Sequence, residues 1–385
     1  MRTTAVIIFF GIAFLIIGLI SFYIYIRGLQ SIPQDSTLRT PYTIVFWIVA
    51  LSFFGGRLLE RFLPSFISDL FIWVGSFWIG AVIYFLLIVI SLDVLRLINH
   101  FLPFFPSIIT ENYSQAKYII SVSMMGLVGL ILLGGHINSL IPRVQALDIN
   151  IAKKAGAMKS LKIVAASDIH LGTIVGRSRL DHLVDKINSL DPDVVFLPGD
   201  IVDEDLAPVI KQNLGESLRK IKTRLGIYAV PGNHEHFGNI NKACDYLTEH
   251  GIVMLRDQSI KVADAFYVVG REDPTVGRFN GHPRKALPEL MAAVDKTYPV
   301  IMMDHQPFNL NEAVAEGVDL QISGHTHYGQ LWPANYIVRS IYELPWGYKK
   351  IANTHFYVSD GAGTWGPPVR IGNRPEIVSI RVTFE

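Results

Sequence analysis

The chain has 385 residues, half of them hydrophobic and only 17% charged, with a formal net charge of +1. No basic surplus marks it for nucleic acid, and no long patch interleaves basic with aromatic residues, so nucleic-acid binding is set aside. The single cysteine, Cys244, excludes an intramolecular disulfide and any cysteine-rich metal centre.

The apolar residues are unevenly spread. Residues 1–142 read as an all-α transmembrane region, and residues 143–385 have the composition of an ordinary soluble domain. Four stretches lack charged side chains: Thr3–Ile26, Thr40–Gly56, Leu70–Leu92 and Tyr118–Ile141. A bilayer core takes about 17–25 residues per helix. Three stretches meet this easily, and the second, bracketed by Arg39 and Arg57, sits at the lower limit. Four spans are expected, with three as the alternative. No polar, small-residue cleavage segment follows the first stretch, so it reads as an anchor.

With four spans both termini share a side. Arg2, Arg57, Arg61, Arg143, Lys153, Lys154 and Lys159 then lie on that side, and Arg27, Arg39, Arg96 and Lys117 on the other. A multi-pass protein of the inner (plasma) membrane is expected, and the bias favours a cytoplasmic C-terminal domain. A three-span topology reverses this. Asp93 and His136, near span ends, read as groups solvated at the interface.

Almost no linker follows the last span. Val144–Ala152 alternates as a half-buried strand, Lys153–Ser160 reads as a turn, and Leu161–Ser167 as a second strand. Buried strands are expected at Asp193–Pro198, Gly226–Val230, Phe266–Gly270, Pro299–Met303, Asp319–Ser323 and Phe356–Ser359. Helices are expected at Arg179–Leu190, Ala207–Thr223, Asn241–His250, Arg284–Asp295 and Asn309–Glu316. This alternation predicts an α/β fold with much parallel pairing, closed by an antiparallel strand at Glu376–Phe384.

Polar clusters follow five of these strands: DIH (Asp168–His170), GDIVD (Gly199–Asp203), GNHE (Gly232–Glu235), DHQP (Asp304–Pro307) and GHTH (Gly324–His327). In α/β sheets, ligands bind beyond the carboxyl ends of strands, where loops converge on rigid supports. Glycine beside them permits close backbone approach. The candidates are Asp168, His170, Asp200, Asn233, His305, His325 and His327, a sulfur-free set suited to Mn, Fe or Zn. They are too many for one metal with an open position and enough for two. Two metals about 3.5–4 Å apart clamp the attacking and leaving oxygens of an in-line displacement, which points to hydrolysis of a phosphate ester or anhydride.

The order of these motifs resembles the calcineurin-like metallophosphoesterase superfamily over residues 144–385. SDIHLG (Ser167–Gly172), SGHTHYGQ (Ser323–Gln330), GTWGPPVR (Gly363–Arg370) and NRPE (Asn373–Glu376) are similar to its membrane-associated bacterial phosphohydrolase branch. The resemblance implies a four-layer α/β/β/α sandwich. It implies that Asp168, His170 and His327 hold one metal, that Asn233, His305 and His325 hold the second, and that Asp200 bridges; manganese is the favoured ion. It further implies a metal-held hydroxide as nucleophile, His234 as the group at the phosphate and leaving oxygen, and Asp203 as the partner that fixes its tautomer. Tyr328 departs from the branch, which has glycine there; the phenol is expected to narrow the pocket, stack on substrate or face solvent. Arg370 and Arg374 are candidates for substrate phosphate, with surface ion pairs as the alternative. His182, His250 and His282 are expected at the surface, and His236 and His355 at the surface or the site rim.

A lipid-borne phosphate would explain the large membrane investment. The branch includes hydrolases of UDP-2,3-diacylglucosamine in lipid A synthesis, which makes this the leading substrate by resemblance, with the bilayer as partner. The alternatives are a phosphatase or phosphodiesterase acting on nucleotides or phospholipid head groups, and a membrane scaffold or transporter with a vestigial domain.

Overall fold

The computed structural model describes residues 2–62, 65–279 and 283–385. The chain divides into two units, Met1–His136 with Gly366–Val369, and Ile137–Trp365 with Arg370–Glu385. His282 lies outside the described residues.

The first unit is helical. It holds α1 (Arg2–Ser31), α2 (Arg39–Phe62), α3 (Phe66–Phe101), a short α4 (Ser107–Glu111) and α5 (Tyr113–Ser139), whose last residues pass into the second unit. The four long helices are each long and apolar enough to cross a membrane. The expected lower-limit second stretch falls within α2, which runs on past Gly56 to Phe62. Ser65 caps α3, exchanging hydrogen bonds with Ser68. Small residues let α2 and α3 approach closely: a Cβ on Gly56 would stand 2.7 Å from the Ile72 nitrogen. Asp93 is not merely solvated, since it pairs with Arg27 at 2.6 Å and Arg96 at 3.4 Å. His136 Nδ1 lies 2.7 Å from the Pro368 carbonyl.

The second unit opens with β1 (Arg143–Ile151), β2 (Ser160–Ala165), α6 (Arg177–Ser189), β3 (Val194–Pro198), α7 (Ala207–Lys211) and α8 (Gly215–Leu218). Next come β4 (Ile227–Val230), α9 (Asn233–Phe237), α10 (Ile240–Glu249), β5 (Ile252–Met254), β6 (Gln258–Val262) and β7 (Phe266–Gly270). It continues through α11 (Val276–Phe279), α12 (Leu287–Met291), β8 (Val300–Met303), α13 (Leu310–Ala315) and β9 (Leu320–Ser323). It ends with α14 (Ala334–Ile341), β10 (Gly347–Ile351), β11 (Thr354–Val358) and β12 (Glu376–Phe384).

Two six-stranded mixed sheets result, ordered β1-β12-β2-β3-β4-β5 and β10-β11-β9-β8-β7-β6. The expected antiparallel closing strand is seen: β12 runs antiparallel to β2, and parallel to β1 on its other side. Central strands such as β3 and β8 are buried throughout, which is why they read as continuous apolar runs. Ile163, Phe196 and Val230 of one sheet share a core with Val268, Ile301 and Leu320 of the other. Outside, Val300, Met302 and Phe356 pack with Leu287, Leu290 and Leu310 of the helical layer. On the first sheet, α10 packs along β5. The expected helix Ala207–Thr223 is instead broken into α7 and α8, where Asn213 takes a left-handed φ of 52°.

Candidate metal centre

The loops after β2, β3, β4, β8 and β9 converge, and all seven candidate ligands meet there. Asp168 and His170 follow β2, Asp200 follows β3, Asn233 opens α9, His305 follows β8, and His325 and His327 follow β9. The loops are laced together by ligands and backbone. The Asp168 carboxylate accepts the His325 N–H at 2.9 Å, and Asp200 Oδ1 accepts the His234 N–H at 2.9 Å. Buried Glu235 accepts the backbone N–H groups of Asp200, Val202 and Gly232 at 2.7–3.2 Å. Glu235 belongs to the GNHE cluster but is not among the candidates read from the sequence; its place two residues after Asn233 at a helix start is the signal that points to it.

Five of the seven candidate ligands occupy the left-handed backbone region: Asp168 (φ 54°), His170 (54°), Asp200 (51°), His325 (71°) and His327 (45°). Such a conformation costs a non-glycine residue on the order of 1 kcal/mol. At Gly324 a Cβ would collide with Ser167 and Asp168, so only glycine lets these loops close.

The donors form two nests. In one, His170 Nε2 is 3.0 Å from His327 Nε2, and His327 Nε2 is 3.4 Å from Asp168 Oδ1. In the other, His305 Nε2 is 3.1 Å from Asp200 Oδ2 and 3.3 Å from Asn233 Oδ1, with His325 alongside. Asp200 Oδ2 also faces the first nest, 3.9 Å from His170 Nε2. Donors about 2.1 Å from one cation stand about 3.0–3.4 Å apart at octahedral or tetrahedral angles. These spacings fit a divalent ion in each nest, with Asp200 between them.

Electrostatics agree. Burial, and then the charge of His305, push the His325 imidazolium down to about 3; burial, and then Arg370, push that of His327 well down. Both rings are therefore neutral, the form that ligates. Burial opposes protonation of His305, but Asp200 and Asp168 raise it well above the ordinary histidine value. The same carboxylates would favour a cation in the nest. The His305 Nδ1 lies 2.8 Å from the Pro198 carbonyl, which fixes the ring so that Nε2 faces the nest.

His234 stands at the edge of this cluster. Its Nδ1 is 3.1 Å from Asp203 Oδ1, and its ring meets the His170 ring edge-on at 4.6 Å. Burial opposes its protonation, yet Asp200, Asp203 and Glu204 raise it to about 10. Phe237 and Trp365 flank it with ring centroids at 5.5 and 6.5 Å. Both are exposed, at 39% and 48%. Directly after the histidine loop, Trp332 and α14 add further apolar surface through Tyr336, Ile337 and Ile341, and α14 buries none of its residues.

The residues expected to bind substrate are placed differently. Arg370 is fully buried and donates to the carbonyls of Asp360, Gly361, Gly363 and His327, with Nη2 3.0 Å from His327 Nδ1. It props the histidine loop and has no face toward substrate. Exposed Arg374 donates to the Ile141 carbonyl at 2.9 Å and is not among the gathered groups. The Tyr328 phenol is engaged by Arg339 and lies against Trp346 at 5.5 Å, so it is pinned to α14. His236 is buried with Nε2 2.8 Å from Glu272 Oε1, and His355 is buried between Tyr348 and the Asn150 carbonyl; neither lies on the rim. His182 is exposed, while His250 is half-buried against Tyr246.

Comparison with known proteins places this geometry in a family. The model for the calcineurin-like phosphoesterases matches residues 161–329. A metallophosphoesterase of Aquifex aeolicus is 31% identical over 256 residues, covering 66% of this chain and 97% of its own length. The chain belongs to the calcineurin-like metallophosphoesterases. A Campylobacter jejuni metallophosphoesterase is 26% identical over 379 residues, covering 97% of this chain and 98% of its own, so the likeness runs through the helical unit as well. A bovine transmembrane protein with metallophosphoesterase domain is 31% identical over 254 residues, covering 62% of this chain. The chain spans 56% of that protein's length and 57% of its zebrafish counterpart's.

Proposed function

We propose that the chain is a membrane-anchored two-metal phosphoesterase that hydrolyses a lipid-linked phosphate ester or pyrophosphate. The observation that carries this reading is the setting of His234: buried metal-type donors on one side, exposed Phe237 and Trp365 on the other. A polar centre with an apolar rim suits a substrate that is a phosphate at one end and an acyl chain at the other.

Asp168, His170 and His327 would hold one divalent ion, Asn233, His305 and His325 the other, with Asp200 shared. Such ions supply positive charge against the phosphoryl oxygens and lower the pKa of water; this oxygen and nitrogen set accepts Mn, Fe or Zn, of which manganese is put forward. The chain itself provides the proton. His234, kept protonated by Asp200 and Asp203, donates a hydrogen bond to the phosphoryl group and a proton to the leaving oxygen.

UDP-2,3-diacylglucosamine is the particular substrate we put forward, on the resemblance of the SDIHLG and SGHTHYGQ motifs. It requires a domain facing the cytoplasm from the inner membrane, which the charge bias supports. The test is release of UMP by detergent-purified protein with Mn²⁺, with His234→Ala as control. Turnover abolished by the substitution supports the reading. Turnover of a generic aryl phosphodiester without UMP release would discard this substrate and keep the reaction.

A further inference from the structure

The four cations that the sequence places together on one side of the membrane line a single cavity of about 730 Å³ within the helical unit. Arg27 comes from α1, Arg39 opens α2, Arg96 lies in α3 and Lys117 in α5, so each long helix contributes one. The lining contains one acid, Asp93, already paired with Arg27 and Arg96. Positive charge is therefore in surplus, in a unit that is otherwise poor in charge.

These cations are fixed in place. Arg39 donates to the Leu29 and Ile32 carbonyls at 3.1 and 2.9 Å, and Lys117 to the Gln30 carbonyl at 3.1 Å. Arg96 and Lys117 both stand over the Tyr113 ring, at 5.6 and 5.2 Å. Ordered like charges in a partly dehydrated cavity repel one another, and an anion with several acceptor oxygens relieves this. The rest of the wall includes apolar Leu92, Ile120 and Met124. With its 36 residues, α3 is about 54 Å long, against a hydrocarbon core of about 30 Å. Its C-terminal turns, which carry Asp93 and Arg96, therefore reach headgroup depth.

We propose that this cavity binds the phosphate headgroup of an anionic phospholipid, with the acyl chains along Leu92, Ile120 and Met124. A free phosphate shares the headgroup chemistry but leaves the apolar wall unused. The test is native mass spectrometry of the full chain in detergent, with phosphatidylglycerol, phosphatidylcholine or glycerol 3-phosphate at equal concentration. Phosphatidylglycerol should be retained roughly tenfold better than phosphatidylcholine. Arg27→Gln/Arg96→Gln should lose that preference, and Lys117→Gln alone should weaken it, with thermal unfolding as the check on fold. Lys117→Gln serves alone should the double variant not fold. Equal retention of both lipids by the parent chain, or undiminished preference in Lys117→Gln, overturns the site. Glycerol 3-phosphate bound as tightly as the lipid overturns the lipid assignment.

Discussion

The Asp203 carboxylate stands 3.1 Å from Nδ1 of His234, and the same oxygen lies 3.5 Å from Nδ1 of His170. One acid thus borders both a candidate metal ligand and the proposed proton donor, placed to orient them. Asp203→Asn should lower kcat for a phosphodiester about 10–100-fold with little change in KM. His234→Ala should lower kcat about 10²–10⁴-fold while metal content stays as in the parent. An Asp203→Asn enzyme with parental kcat would refute the orienting role.

Two nests that each hold an ion, as proposed, would make separable demands on metal. Elemental analysis of purified protein should find His327→Ala and His325→Ala each short of one ion, and Asp200→Ala short of both. Parental metal content in all three would show that the donors hold no ion. Chelation should abolish hydrolysis, and Mn²⁺ should restore it.

Arg370 and Arg374 are close in sequence but opposite in consequence. Buried Arg370 satisfies four carbonyls, so Arg370→Ala should destabilise the second unit by about 3–5 kcal/mol. Arg374→Ala should stay within about 0.5 kcal/mol of the parent. Thermal unfolding reads both, and equal melting temperatures for the two variants would contradict the assignment.

Burial pushes the Glu272 carboxyl up, but His236 and Arg256 hold it below the usual carboxylate range. A depressed folded pKa contributes stability that is present above the unfolded value of about 4.5 and is lost as pH falls through the folded one. Glu272→Gln should therefore cost about 2 kcal/mol at pH 7. The difference in melting temperature from the parent should shrink as pH drops below about 4.5. A gap independent of pH would assign the loss to packing instead of charge.

The central strands and the ligand loops were legible because each couples a strong local pattern to a fixed place. A run such as FLP before Gly199 and Asp200 is buried on both faces and must end at a turn, so strand and ligand announce each other. Short edge elements were not legible. Strand β6 alternates weakly, and β10 pairs only with β11, so neither carries a continuous apolar run. The role of Arg370 was hidden for another reason: an arginine in a Gly/Pro-rich loop looks solvent-bound until the carbonyls that surround it are assembled from two separate segments, His327 and Asp360–Gly363. The charged cavity likewise needed four helices in place before the scattered cations met.

The left-handed ligands carry a consequence for how such a domain could decay. Asp168, His170, Asp200, His325 and His327 each hold a backbone shape that glycine would adopt without strain. A descendant released from catalysis would relieve on the order of 1 kcal/mol of strain by accepting glycine at each of the three histidines, whereas glycine at Asp168 or Asp200 would also leave a backbone N–H unpaired. Erosion should therefore begin at His170, His325 and His327 and leave the strands behind them intact. This chain has aspartate or histidine at all five, the opposite of what drift toward an inert scaffold would leave.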